Sequence, residues 1–217
     1  MGEGGTQKTR GNRLTKRIGT ARAGNPNQLH ETEEAGTLAL IAREGRRMRA
    51  VSEQLWEPAC GRGRMARVLS EAGFEVMATD LVDRGYGEGG VDFRTTRKLR
   101  AKIIVTNPPY GELVEEFIRH AAALGALYLA LLLKSDFFHA TDKAKRDTLF
   151  RELPPSRVHP LGFRLDWTGQ GSPVMNCSWF IWDWSRGMAR THDRAPSLGG
   201  PPREPFARLY APVRRHP

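Results

Sequence analysis

The apolar positions of this chain fall in short, dense runs separated by polar loops. Ile103-Ile104-Val105 and Leu127–Leu133 are almost wholly apolar, as expected of strands covered on both faces of a parallel sheet. Gln54–Glu57, Phe74–Ala78, Arg157–Leu161 and Val174–Trp182 read as further strands. Between them the spacing becomes helical. Met65, Val68, Leu69 and Ala72 share one face, as do Leu113, Phe117, Ile118 and Ala121, and later Leu149, Phe150 and Leu153 in a helix over 142–153. Gly73 ends the first of these helices and Pro154-Pro155 stops the last. An earlier helix opens on Glu31-Thr32-Glu33-Glu34, where acids suit the positive end of its dipole, and runs to about Glu44. Its apolar stripe is partial: Leu38, Ile41 and Ala42. Strand and helix alternate, which predicts an α/β domain. The last two strands read as a terminal hairpin, with Phe180 and Trp182 on one face and Trp179 on the other.

The polar segments after the strands carry the candidate chemistry. The strand Ile103–Val105 runs into Thr106 and then Asn107-Pro108-Pro109-Tyr110. Two prolines remove two amide donors and hold the loop rigid. It presents a carboxamide, backbone carbonyls and an aromatic ring, a set able to clamp a flat, amine-bearing group. A plain Pro-Pro turn after a core strand is the alternative. Upstream, Gln54–Glu57 leads into Pro58-Ala59-Cys60-Gly61-Arg62-Gly63 and then a helix. Strand, glycine turn and helix form a general device for holding a ligand against backbone amides. Asp80 closes the next strand, where an acid accepts hydrogen bonds from ribose hydroxyls. After the glycine-rich loop Leu81–Gly90, Val91-Asp92-Phe93 reads as a short strand end, placing an acid and a ring at the same rim or else forming a surface turn. Lys134-Ser135-Asp136-Phe137-Phe138 follows the Leu127–Leu133 strand, with rings that line a pocket or close the core. Arg94–Lys102 reads as solvated. His30, His120, His139 and His159 show no partners in the sequence.

Charge alters this picture at the ends. The chain has 217 residues, 39% of them apolar, and a net charge of +10. Residues 1–27 and 186–217 contribute +5 each, and 28–185 sum to zero. One domain over 28–185 with two basic, unstructured tails is expected, the tails suiting a polyanionic partner or acting as solubilising ends. Within the domain Arg43, Arg46, Arg47 and Arg49 form a basic cluster. It is a solvated flank, or a phosphate-facing patch if it lies beside the Asn107 loop. There is no signal segment and no run of membrane length, so the expected location is cytoplasmic and no membrane partner is expected. Cys60 and Cys177 have neither metal-ligand spacing nor a disulfide framework.

Taken together, Trp56-Glu57-Pro58-Ala59-Cys60-Gly61-Arg62-Gly63, then Asp80, Asp92-Phe93 and Asn107-Pro108-Pro109-Tyr110, resemble the S-adenosylmethionine-dependent amino-methyltransferases. The most similar group is the adenine-N6 DNA methyltransferases, small phage and prophage members included. The resemblance spans roughly 30–183. It implies a Rossmann-like class I fold with a seven-stranded sheet ordered 3-2-1-4-5-7-6, its last-formed strand antiparallel. It further implies S-adenosyl-L-methionine as cofactor, held by Glu57, Pro58, Ala59, Cys60, Gly61 and Gly63 at the methionine, by Asp80 at the ribose and by Asp92 and Phe93 at the adenine. Asn107 and the Pro108 carbonyl would take the target amine's hydrogens, with Pro109 holding the loop rigid and Tyr110 stacking on the base; Phe180 or Trp179 is a candidate for the base's other side. No metal and no covalent enzyme intermediate are implied, so Cys60 is not expected to act as a nucleophile.

Three departures stand out. Glu57 replaces the more usual Asp, Arg62 a small residue, and the third glycine of broader cofactor turns is absent, with Met65 nearby. No target-recognition domain is visible beyond the tails and the loops Gly85–Gly90 and Gly162–Pro173. Weak sequence specificity, a specificity partner or a single-stranded DNA substrate therefore stay open. Methylation of an RNA base or a protein glutamine presents the same planar amine, and a non-catalytic nucleic-acid-binding protein is the remaining alternative.

Overall fold

The structure is a computed structural model that describes residues 34–139, 143–166 and 175–185. The two basic ends, the opening acids Glu31–Glu33 and most of the Gly162–Pro173 loop lie outside those residues. Six strands form one sheet: β1 (Gln54–Glu57), β2 (Glu75–Ala78), β3 (Ile103–Thr106), β4 (Tyr128–Lys134), β5 (Arg157–Pro160) and β6 (Cys177–Asp183). Their order is β2-β1-β3-β4-β6-β5. The first four are mutually parallel, and β6 runs antiparallel to both its neighbours.

Side-chain alternation in the strands builds two cores. Leu55, Ile103, Val105, Tyr128, Ala130, Leu132, Trp179 and Ile181 face helices α1 (Glu34–Val51) and α2 (Arg64–Glu71). Trp56, Ile104, Leu129, Leu131, Leu133, Phe180 and Trp182 face α3 (Leu113–Ala123) and α4 (Lys143–Glu152). Phe180 and Trp182 thus share a face and Trp179 takes the other. Each buried indole finds an acceptor: Trp56 Nε1 donates to Thr79 Oγ1 at 3.0 Å, Trp179 to the Gly36 carbonyl at 2.8 Å, and Trp182 to the Leu153 carbonyl at 3.0 Å. Such large side chains can be buried whole only when that donor is satisfied.

Among the described residues the sheet has six strands where seven were expected. Val91-Asp92-Phe93 does not form the missing edge strand; a 3-10 turn, Phe93–Thr95, follows Asp92, whose side chain accepts from the Arg94 amide. The preceding loop has Gly85, Gly87 and Gly90 at positive φ and makes a single bridge, Thr79 to Glu88, beside β2. A glycine-rich segment loses much entropy on straightening and has few side chains to pack, so it folds back rather than extending.

Helix α1 also departs from expectation. It continues to Val51 and buries Ala39, Leu40, Glu44 and Met48, whereas Leu38 and Ile41 are only partly buried and Ala42 is exposed. The reason is Glu44, which turns inward. Its carboxylate accepts from Tyr128 Oη at 2.9 Å, Arg157 Nε and Nη2 at 3.1 Å each, and it pairs with His159 Nε2 at 2.7 Å. His159 therefore has a partner, as does His120, whose Nε2 lies 3.0 Å from the Thr96 carbonyl and whose ring meets Phe93 edge-on. Nor is the 94–102 segment merely solvated: Arg94 pairs with Asp92 and Glu116, and Arg100 with Glu88. Cys60 and Cys177 are both buried free thiols. No helix among the described residues is long and apolar enough to cross a membrane.

Candidate active site

The connection through α2 carries the chain from β1 to β2 on one side, and β3 adds on β1's other side. The strand order thus reverses between β1 and β3, and the loops leaving their carboxyl ends diverge. Such a reversal opens a crevice in a sheet of this kind. Here it is a solvent-open cleft at the carboxyl ends of β1 and β3. Glu57, Pro58, Ala59, Cys60 and Gly61 form one wall; Asp80, Asp92 and Phe93 a second; Asn107, Pro108 and Pro109 a third. Residues up to 52 positions apart in sequence are brought to one rim.

The glycine turn is held by backbone bonds. The Cys60 amide donates to the Thr79 carbonyl at 3.0 Å and the Gly63 amide to the Cys60 carbonyl at 2.8 Å. Asp80 is its brace: one carboxylate oxygen accepts from the Gly61 amide at 2.7 Å and the other from the Val82 amide at 2.9 Å. Each oxygen keeps a lone pair for a ligand hydroxyl. Gly63 does not line the cleft but permits its shape. Its φ is +79°, and a Cβ there would fall 2.2 Å from the Tyr86 ring. Tyr86, from the folded-back loop, covers the turn, and Arg67 lies 4.6 Å over its ring.

Glu57 has the most unusual setting. It is fully enclosed and its Oε2 accepts no hydrogen bond among the described residues. Burial and the nearby Asp80 carboxylate push its pKa well above the usual range, and the Ala66 amide offsets this only in part. Burial, Glu57 and Asp80 likewise push the Cys60 thiol up to about 12, which makes it a poor nucleophile at neutral pH.

Asp92 is better provided for. Arg94 donates from its amide and Nε to Oδ1 at 3.0 Å each and from Nη2 to Oδ2 at 2.7 Å. The Arg94 hydrogen bonds hold the carboxyl below its ordinary pKa. Oδ2 retains a lone pair for an incoming amine. Phe93 forms the floor: only 2% exposed, it packs against Trp56 and Phe117 at centroid distances of 5.1 and 4.8 Å.

Tyr110, like Gly63, is a candidate that the cleft does not include. Its hydroxyl is buried beside Cys177, which together with desolvation raises its pKa, and Lys134 Nζ lies 5.6 Å from the ring centroid. Phe180 and Trp179 are fully buried in the two cores, so neither offers a face to a ligand. Both rings of the next pair, Phe137 and Phe138, pack on Phe150 and Phe180, and Phe138 is 39% exposed. The basic cluster on α1 is not beside the Asn107 loop. It lies toward the opposite end of the sheet, where Arg49 donates to the Ala72 carbonyl just before β2.

Sequence reasoning missed Arg84 and Arg94, which line the cleft, and Tyr86, which covers its turn. Arg94 was legible in principle, since an Asp two residues before an Arg at a turn invites this clasp. Tyr86 was not, because it meets Gly63 only through the loop's return. Among the described residues no group of three or more His, Cys, Asp or Glu side chains could hold a metal ion.

No family profile and no curated protein matches the sequence. Solved structures do match in shape. A Listeria monocytogenes protein assigned to the class I S-adenosylmethionine-dependent methyltransferases is 14% identical, with a TM-score of 0.54 over 84% of this chain and 67% of that one. A protein from Pyrococcus horikoshii assigned as an RNA methyltransferase is 12% identical, with a TM-score of 0.51 over 69% of this chain and 82% of the other. A Vibrio vulnificus protein assigned as the modification subunit of a type I restriction enzyme is 12% identical, with a TM-score of 0.50, over 72% of this chain and 45% of that one. What these likenesses show is the fold alone: the six-stranded sheet of the described residues resembles that of Rossmann-like methyltransferases.

Proposed function

We propose that the protein transfers the methyl group of S-adenosyl-L-methionine to the N6 amine of adenine in DNA. One observation carries the reading: the Glu57–Gly61 turn, Asp80, Asp92 with Phe93, and Asn107-Pro108-Pro109 converge on a single cleft. The cleft fits the cofactor in two respects. The enclosed Glu57 carboxyl, with its unsatisfied Oε2, suits an ammonium group such as that of a methionine. Asp80 has lone pairs left for ribose hydroxyls, and Asp92 and Phe93 offer an acceptor and an apolar floor for an adenine. When bound, S-adenosylmethionine supplies an electrophilic methyl group on a sulfonium.

The remaining work falls to the chain. An aromatic amine has its lone pair delocalised into the ring. By accepting both N–H hydrogens, the Asn107 carboxamide and the Pro108 carbonyl draw the nitrogen towards tetrahedral geometry and offset the positive charge that it develops. These interactions strengthen as charge builds, so they favour the transition state over the ground state. Pro108 and Pro109 keep the acceptors from rearranging. The surplus proton leaves the nitrogen to water, and no basic side chain is required. Stacking of Tyr110 on the base requires its ring to leave the position beside Cys177 and Lys134. The restriction-modification subunit among the structures of like fold is in keeping with a DNA target.

The test is transfer of labelled methyl to unmethylated double-stranded DNA, with single-stranded DNA, RNA and protein extract alongside and nucleoside analysis afterwards. N6-methyladenine in DNA is the expected product; label confined to RNA or protein overturns the substrate. Asn107→Ala should leave S-adenosylhomocysteine binding within about twofold and lower transfer by about 10²–10³, the loss of one preorganised polar group. Equal activity in that variant would sink the mechanism.

A further inference from the structure

A second recess lies at the other end of the sheet from the cleft. It is lined by Arg43, Arg46, Arg47 and Arg49 of α1, by small aliphatic side chains of the same helix, and by Asp183 and Ser185. Its position follows from the topology. Val51 leads directly into the start of β1, and Asp183 is the residue of β6 opposite Tyr128, the first of β4. The recess is therefore at the amino ends of the parallel strands.

Its four arginines are not equivalent. Arg47 pairs with Glu44 at 3.3 Å, and Arg49 is bound to the Ala72 carbonyl and lies over the Phe74 ring. Those two are held by the fold. Arg43 and Arg46 are exposed, and no hydrogen bond or ion pair engages them among the described residues. The one acid in the lining, Asp183, is taken by Arg157 and Ser185. Ser185 is also where the described chain ends and the +5 segment 186–217 begins. That segment carries the recess's own sign of charge and does not neutralise it. A wall made of guanidinium groups and small aliphatic side chains has no aromatic anchor of the kind that protein interfaces use. It does have forked donors suited to phosphate oxygens.

We infer that this recess is a second binding surface, for the phosphate backbone of duplex DNA, with Arg43 and Arg46 as its phosphate ligands. Duplex DNA, rather than another phosphate polymer, rests on the function proposed above. The surface holds DNA away from the cleft and reads no bases.

The experiment measures binding of the full-length protein to a labelled duplex of about 30 base pairs over a salt series, without S-adenosylmethionine. Arg43→Glu/Arg46→Glu should weaken binding at least tenfold at about 100 mM salt and make the log–log salt slope shallower by about 2, as two lost phosphate contacts require. Arg43→Lys/Arg46→Lys should keep the slope. Methyl transfer at saturating DNA should not change in either variant. Unchanged affinity and slope in the Glu variant would overturn the inference and leave binding to the tails or the cleft. Stronger binding of an RNA hairpin, lost in the Glu variant, would overturn DNA as the occupant. Because binding is read without the cofactor, duplex binding that needs Arg43 and Arg46 upholds this surface even in a protein that transfers no methyl group, whereas that protein sinks the reading of the cleft.

Discussion

Glu44 and Glu57 are both sealed from solvent, at 0% and 2% exposure, yet their surroundings drive them in opposite directions. Burial alone would raise the pKa of Glu44, but the hydrogen bond with His159, the charge and hydrogen bonds of Arg157 and the Tyr128 hydroxyl hold it down to about 2. Glu57 has burial and Asp80 acting together, against one amide. At the amino ends of the parallel strands the Glu44 carboxylate is thus satisfied by the protein's own groups. At the carboxyl end of β1, Glu57 keeps an oxygen with no hydrogen-bond partner among the described residues. An unpaired buried carboxylate is costly, which is why Glu57 holds its proton more tightly than an ordinary carboxyl.

Removing Glu44 should have the largest effect. Glu44→Ala leaves Arg157, whose side chain is 12% exposed, with only Asp183 as counter-ion, and such a broken buried pair costs roughly 3–5 kcal/mol. Urea denaturation measures this, and a loss below about 1 kcal/mol would show that the network is not a stabilising one. The same contrast has a pH signature. With a folded pKa of about 2 against an ordinary 4.5, the Glu44 contribution is fully present above pH 4.5 and is lost as pH falls towards 2. It amounts to roughly 3 kcal/mol. Glu44→Gln should flatten that acid limb.

The carboxyl end of β1 responds more weakly, and in one case with the other sign. Gly63→Ala places a Cβ against Tyr86 at a positive φ and should cost roughly 1–3 kcal/mol. Adding Tyr86→Ala should recover the clash but not the backbone strain, which a double-mutant cycle separates. Glu57→Gln should have the smallest effect. Folded Glu57 keeps its proton at pH values where the unfolded chain has released it, so its contribution weakens as pH rises above 4.5. The Gln variant should therefore melt higher than the native protein at pH 8, by about 2–4 °C for each kcal/mol relieved, while S-adenosylhomocysteine binding weakens. A lower melting point at pH 8 would erase the distinction between the two glutamates.

The cleft was more legible in the sequence than the supports around it. Glu57–Gly61, Asp80 and Asn107–Pro109 sit directly after apolar runs, and a parallel sheet brings the carboxyl ends of such strands to one edge. Tyr110 follows the same strand but turns towards Cys177, a contact supplied by β6 and invisible near residue 110. The expected seventh strand failed because Val91-Asp92-Phe93 has a strand-like composition, while the glycines before it and the Arg94 clasp on Asp92 favour a turn.

Alternation of short apolar runs with helical spacings determined the α/β layering, and turn chemistry determined which loops meet the cleft. Both are properties of near neighbours along the chain, where periodicity and backbone preference act. Only the tertiary structure decided the fate of Glu44, whose partners Tyr128, Arg157 and His159 are 84, 113 and 115 positions away. It also decided that Arg43 and Arg46 face away from the cleft. The physical reason is common to both: whether a charge is paired, buried or left in water depends on which strand and helix come to lie beside it, and chain neighbours carry no record of that.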